Sequence, residues 1–143
     1  HISGGDEMQK ISTLKNNKKT NILGVTVLTS LDKKQTLKYY KEKNVEILVK
    51  KFANYAKKNN LNGLVCSPLE INIVRKEVGK KMILVVPGIR IKKQSFNNKD
   101  DQKRTLTPKE AISLGADFLV IGRPIIESKN PLETIKKINQ SIQ

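Results

Sequence analysis

Apolar residues along the chain fall into two patterns. Four runs are short, rich in β-branched residues and continuous: Ile22–Leu28 ("ILGVTVL"), Gly63–Cys66 ("GLVC"), Met82–Val86 ("MILVV") and Phe118–Ile121 ("FLVI"). Continuous rather than alternating hydrophobicity predicts parallel strands covered on both faces. Between them the apolar positions recur at helical spacing. Val45–Lys58 places Ile47, Val49, Phe52, Tyr55 and Ala56 largely on one side, and Leu69–Val78 and Pro108–Leu114 are shorter versions. Pro131–Ile142 follows Asn130, a natural N-cap, with proline in the first turn. A further helix is expected at Asp6–Leu14, with Met8, Ile11 and Leu14 as its apolar side. The order α-β-α-β-α-β-α-β-α describes an α/β chain with four parallel strands and flanking helices, read as one domain over residues 1–143.

Each strand run ends in residues able to do chemistry. The exits read Thr29–Ser30, Ser67–Pro68, "PGIR" (Pro87 to Arg90) and "GRP" (Gly122 to Pro124). Parallel strands bring their C-terminal ends to one side, so the four exits should share a rim, where open α/β sheets and (β/α)8 barrels hold ligands. Ordinary turn chemistry accounts for Ser67–Pro68. The two Gly-Arg exits point instead to an anion site. A guanidinium directly after a buried strand is costly unless an anion meets it, and glycine lets backbone and ligand approach closely. The connection after the third strand is polar from about Lys92 to Thr107, with Phe96 its one obvious hydrophobic anchor. A connection this long is either a flap over a charged ligand or a surface insertion. It closes on Thr107, Pro108 and Glu110, the residues of a capped helix start.

Charge and composition narrow the partners. The formal net charge is +15, yet the chain has only three Phe, three Tyr and no Trp. That leaves no stacking platform for single strands, and lysines scattered among asparagines argue against nucleic acid as the partner. Only four basic residues are Arg: Arg75 in a helical pattern, and Arg90, Arg104 and Arg123 in or beside loops. Arginine kept there in a lysine-rich chain suits bidentate phosphate recognition. The single Cys66 excludes an internal disulfide, fits a reducing compartment, and reads as core rather than nucleophile. No run approaches a membrane span and none reads as a signal peptide. The chain opens on His1 rather than Met, which we read as a processed chain or a fragment.

In order and spacing, "HISGG", "VTVLTS", "GLVCS", "VVPGIR", "DDQKRTLTPKEAISLGADFLVIGRPI" and "INQSI" resemble orotidine 5′-phosphate decarboxylase of the bacterial type, across essentially the whole chain. The resemblance implies a (β/α)8 TIM barrel of which this chain covers about the C-terminal half. The implied activity converts orotidine monophosphate (OMP) to uridine monophosphate (UMP) and CO2 with no cofactor and no metal, in the cytoplasm. By the same resemblance Arg123 grips the phosphate, with the Gly122 amide beside it. Gln102 bridges phosphate and flap, Arg90 belongs to the third exit, and Thr29 meets the polar edge of the pyrimidine. The family's D-x-K-x-x-D proton-donor motif, which there precedes "HxSGG", occurs nowhere in these residues. No catalytic residue is therefore assigned within the chain. The implied partners are the nucleotide and either a second copy or a separate N-terminal half. Two other readings stay open: another phosphate-binding barrel decarboxylase, and a non-catalytic half-barrel serving as a binding or assembly module.

Overall fold

The computed structural model describes residues 2, 20–28, 31–91 and 105–143. The helix expected at Asp6–Leu14 lies outside them, as do Thr29, Ser30, Phe96, Gln102 and Arg104. Four strands are present: β1 (Leu23–Val25), β2 (Gly63–Val65), β3 (Ile83–Pro87) and β4 (Phe118–Val120). They form one sheet in the order β1-β2-β3-β4, every pair parallel. The helices are α1 (Lys33–Tyr40), α2 (Val45–Lys58), α3 (Ile71–Val78), α4 (Pro108–Ser113), α5 (Arg123–Ile126) and α6 (Pro131–Ser141). This is part of a barrel-like α/β fold.

Most elements form where local chemistry asks for them. Asn44 Oδ1 accepts the amides of Glu46 and Ile47 at 2.9 and 3.4 Å, capping α2. Thr107 and Glu110 make the reciprocal cap of α4, with Pro108 in its first turn. Asn130 caps α6 through the Glu133 amide at 3.2 Å. The inner face of α2 differs from the expected one. It is Leu48, Val49, Phe52, Ala53 and Ala56, while Ile47 is 53 % exposed. The helix is rotated so that two small alanines lie on its buried face. The Leu69–Val78 pattern divides into a 3-10 turn at Pro68–Glu70 followed by α3. Helix α1 has no counterpart in the apolar pattern, because only Thr36 of its residues is buried. Its start is fixed by a capping box in which Asp32 and Gln35 accept each other's backbone amides.

Strands β1, β2 and β4 are shorter than their apolar runs and β3 is shifted by one residue, and among the described residues the sheet is covered on one face. Sequential order with right-handed crossovers puts every helix on the same side of a sheet. On β3, Leu84 and Val86 are fully buried, while Ile83, Val85 and Pro87 are half-exposed. Leu64, Leu84 and Val86 pack with Val49, Ala53, Ile71 and Val74 of the helices into one core. The opposite face is equally apolar but uncovered among the described residues. Continuous hydrophobicity thus identified two apolar faces without saying what covers the second.

Arg75 ties the other end of the sheet together. Its guanidinium donates to Gly115 O (2.8 and 2.6 Å), Met82 O (2.6 Å) and Gly79 O (2.9 Å), and pairs with Asp117 at 2.5 Å. Asp117 also accepts the Leu84 amide at 2.7 Å. One side chain of α3 therefore fixes the turns that feed both β3 and β4.

Candidate functional site

The parallel sheet brings the strand exits to one rim. Pro87 and Val120 are register partners at the ends of β3 and β4, so "GIR" and "IGR" leave the sheet side by side. Arg90 and Arg123 each stand three residues past that pair. Gly88 has φ +80°, a left-handed conformation that glycine adopts without cost and that turns the chain sharply off β3. Ile89 is then fully buried and forms a parallel bridge to Leu106, with the Arg90 amide donating to Leu106 O at 2.9 Å. The two described ends of the long polar connection are thus pinned together at the rim.

The two arginines have opposite surroundings. Arg90 is 8 % exposed, and its Nη1 donates to Ile89 O at 3.1 Å. Arg123 opens α5 and is exposed, so the desolvation argument made for it from sequence applies to Arg90 instead. Gly122 caps α5 through its carbonyl, which accepts the Ile125 and Ile126 amides at 2.9 and 3.1 Å. A Cβ built on Gly122 meets nothing within 4 Å. Neighbouring side chains do not demand glycine there, and the space beside its backbone is open to a ligand.

The second exit is structural. The Ser67 amide donates to the Glu70 carboxylate at 3.3 Å, holding the turn that begins α3's approach. Cys66 is 2 % exposed, and burial, assisted by the nearby Glu70 carboxylate, pushes its thiol up to about 12. A neutral thiol favoured by the fold contributes stability below its ordinary pKa, near 9, which is lost as pH rises from there toward about 12. At pH 8 a thiol reagent should label the folded chain roughly two to three orders of magnitude more slowly than the denatured chain, since the thiolate is the reactive form. Equal labelling rates would show Cys66 to be an accessible nucleophile. A separate cavity of about 870 Å³, lined by Leu31, Asp32, Lys33, Asn44 and Glu70 among others, contains none of the expected site residues.

Residues 1–138 match the model of the orotidine 5′-phosphate decarboxylase / HUMPS family. The chain belongs to this family. It is 45 % identical over 143 residues to the orotidine 5′-phosphate decarboxylase of Wolbachia pipientis subsp. Culex pipiens, covering 99 % of this chain and 62 % of that protein. The Aquifex aeolicus decarboxylase is 45 % identical over 141 residues, with 96 % and 58 % covered. The crystal structure of the Lactobacillus acidophilus decarboxylase matches with a TM-score of 0.70 at 27 % identity, over 90 % of this chain and 52 % of that one. The chain thus spans less than two thirds of the length of these relatives. Family membership accounts for the order of strands and exits. Among the expected site residues the fold sets Arg90, Gly122 and Arg123 on neighbouring exits, while Thr29 and Gln102 lie outside the described residues. No helix among the described residues is long and apolar enough to cross a membrane. Arg75 is the residue that sequence reasoning undervalued, and its signal was the same as Arg90's: arginine where lysine is the rule.

Proposed function

We propose that this chain is the C-terminal portion of a bacterial-type orotidine 5′-phosphate decarboxylase and carries the phosphate- and pyrimidine-binding rim of a (β/α)8 barrel. The register pair Pro87–Val120 carries this reading, because it sends "PGIR" and "GRP" out together beside the open backbone at Gly122. In the proposed complex the 5′-phosphate lies against Gly122 and Arg123. Gln102 spans phosphate and flap, Arg90 supports the third exit, and Thr29 meets the pyrimidine's polar edge.

The chemistry breaks the bond between C6 of the pyrimidine and its carboxylate carbon, releasing CO2, and adds a proton at C6. No metal or cofactor is assigned. Contacts far from C6 contribute because phosphate binding energy can drive closure of the flap and desolvation of the reacting carboxylate. Proton delivery belongs to the family's D-x-K-x-x-D array, which these residues do not contain. The 143-residue chain alone is therefore expected to show no turnover of orotidine monophosphate when prepared from a host lacking its own decarboxylase. Measurable release of CO2 would place the proton donor within this chain and overturn the division of labour proposed here.

A further inference from the structure

We infer that the Ser67 hydroxyl is a further ligand contact of the rim, placed to hydrogen-bond the base of a bound nucleotide. This rests on the proposed function and names a specificity residue within that site. Among the described residues Ser67 Oγ is the buried side-chain polar atom left without a hydrogen-bond partner, and the residue is fully buried. Local structure does not use it. Serine before a helical turn ordinarily caps that turn through its hydroxyl. Here the Glu70 amide donates to the Ser67 carbonyl at 3.0 Å, and the Ser67 amide donates to the Glu70 carboxylate. The turn therefore closes through the backbone of Ser67. A hydroxyl able to donate one hydrogen bond and accept two is left unsatisfied, at a cost to the free chain.

The strand register sets the direction in which it faces. Cys66 carries the ladder one residue past β2, its amide donating to Val85 O at 3.2 Å. Leu64 and Cys66 lie in the helix-side core, and Val65 between them is half-exposed. Alternation puts Ser67 on the face of Val65, at the height of the exits. Val65 partners Val85 and Pro87 partners Val120, so Ser67, Pro87 and Val120 form one row along the rim. That row runs from open to closed. Val120 is 51 % exposed, Pro87 is half-exposed and Ser67 is 0 % exposed.

The gradient orders a ligand. The anion-binding features stand at the open end, where Gly122 and Arg123 follow β4. Ser67 stands two strands away, about 10 Å at the ordinary spacing of neighbouring strands. A nucleoside monophosphate reaches from one to the other, with its phosphate at β4 and its base toward β2. Pro87, next to Ser67 in the row, offers the base apolar contact only. The polar edge of a pyrimidine, two carbonyl oxygens flanking an N–H, supplies the partner that Ser67 lacks. A site that hydrogen-bonds its ligand in this way also rejects analogues that cannot pair there.

The test compares UMP with ribose 5-phosphate, which keeps the phosphate and lacks the base. Both are titrated calorimetrically against the parent, Ser67→Ala and Ser67→Cys. Every sample pairs this chain with the same complementing units, the stretch of the Wolbachia decarboxylase that it does not match. Ser67→Ala should weaken UMP about tenfold, the loss of one neutral hydrogen bond, and leave ribose 5-phosphate unchanged. Ser67→Cys refills the volume with a weak donor and should not restore binding. Without ligand, Ser67→Ala should melt about 4 °C above the parent, because the unsatisfied hydroxyl is gone. The two readouts thus move in opposite directions, which a packing role does not produce. UMP affinity unchanged in Ser67→Ala would overturn the inference and leave the phosphate reading intact. Equal weakening of both ligands would overturn it by making Ser67 a general support of the rim. A lower melting temperature would also overturn it, since an ordered water or internal partner would then already satisfy the hydroxyl. A parent that binds neither ligand would end the reading of the rim itself, and this inference with it.

Discussion

Replacing Arg123 with alanine is expected to weaken uridine monophosphate binding roughly ten- to a hundredfold while leaving uridine binding nearly unchanged. Hydrogen bonds to a charged group are worth about 1.5–3 kcal/mol, and 1.4 kcal/mol is tenfold in affinity. Arg123 is exposed at the start of α5, so the variant should fold like the parent. Arg123→Lys should recover part of the loss, since a point charge lacks the planar two-pronged donor geometry. Gln102→Ala should lose less than Arg123→Ala, because it removes a neutral contact. Titrations with both ligands use the same preparation throughout, this chain together with its complementing units. Equal weakening of nucleoside and nucleotide by Arg123→Ala would make the residue a support of the fold and end the phosphate assignment.

What the sequence disclosed follows from how local each signal is. The bounds of helix α2 were legible because its apolar positions recur at helical spacing within one segment, although the face it turns inward was not. Caps made α4 and α6 equally plain. Helix α1 was hidden, since its lysines and tyrosines carry no apolar stripe and only the Asp32–Gln35 pair marks its start. The lengths of β1, β2 and β4 were overestimated for a different reason. Apolar runs continue into the exits, where Cys66, just past β2, is still buried in the core and donates its amide to Val85 O. The rim was readable because parallel strands order their own exits. Which arginine is buried was not, because Arg90 and Arg123 follow equally apolar strands, and the chain returning to bridge Ile89 at Leu106 carries no signal at the arginine itself. The one-sided cover of the sheet among the described residues was hidden for the same reason: an apolar residue does not specify which neighbour will cover it.

The largest effect on stability is expected at Arg75, which joins Gly79 and Met82 nearby in sequence to Gly115 and Asp117 on the far side of β3. Arg75→Met keeps an apolar stem against α3's surroundings and removes five donor contacts, to Gly115, Met82, Gly79 and Asp117. Charged hydrogen bonds contribute about 1.5–3 kcal/mol each but are not additive within one cluster, so a loss of about 3 kcal/mol is expected. For a chain of this size that lowers Tm by about 10 °C. The ion pair itself accounts for little of it. Asp117's side chain is 42 % exposed, and screening holds such pairs to about 1 kcal/mol or less. Asp117→Asn, which still offers an oxygen to the Leu84 amide, should therefore cost far less than Arg75→Met. Gly115→Ala provides an independent approach to the same contact. Gly115 has φ +105°, and an added Cβ would stand 3.1 Å from Arg75 Nε, so strain and displacement of the guanidinium act together, by more than about 1 kcal/mol. Thermal and denaturant melts of the three single variants and the Arg75→Met/Asp117→Asn double variant decide the matter, with all samples complemented alike. A coupling energy as large as the whole Arg75→Met loss would assign the stability to the salt bridge. A small coupling beside a large single loss assigns it to the carbonyls of the turns feeding β3 and β4, and so to the alignment that brings Pro87 and Val120 into register beneath the rim.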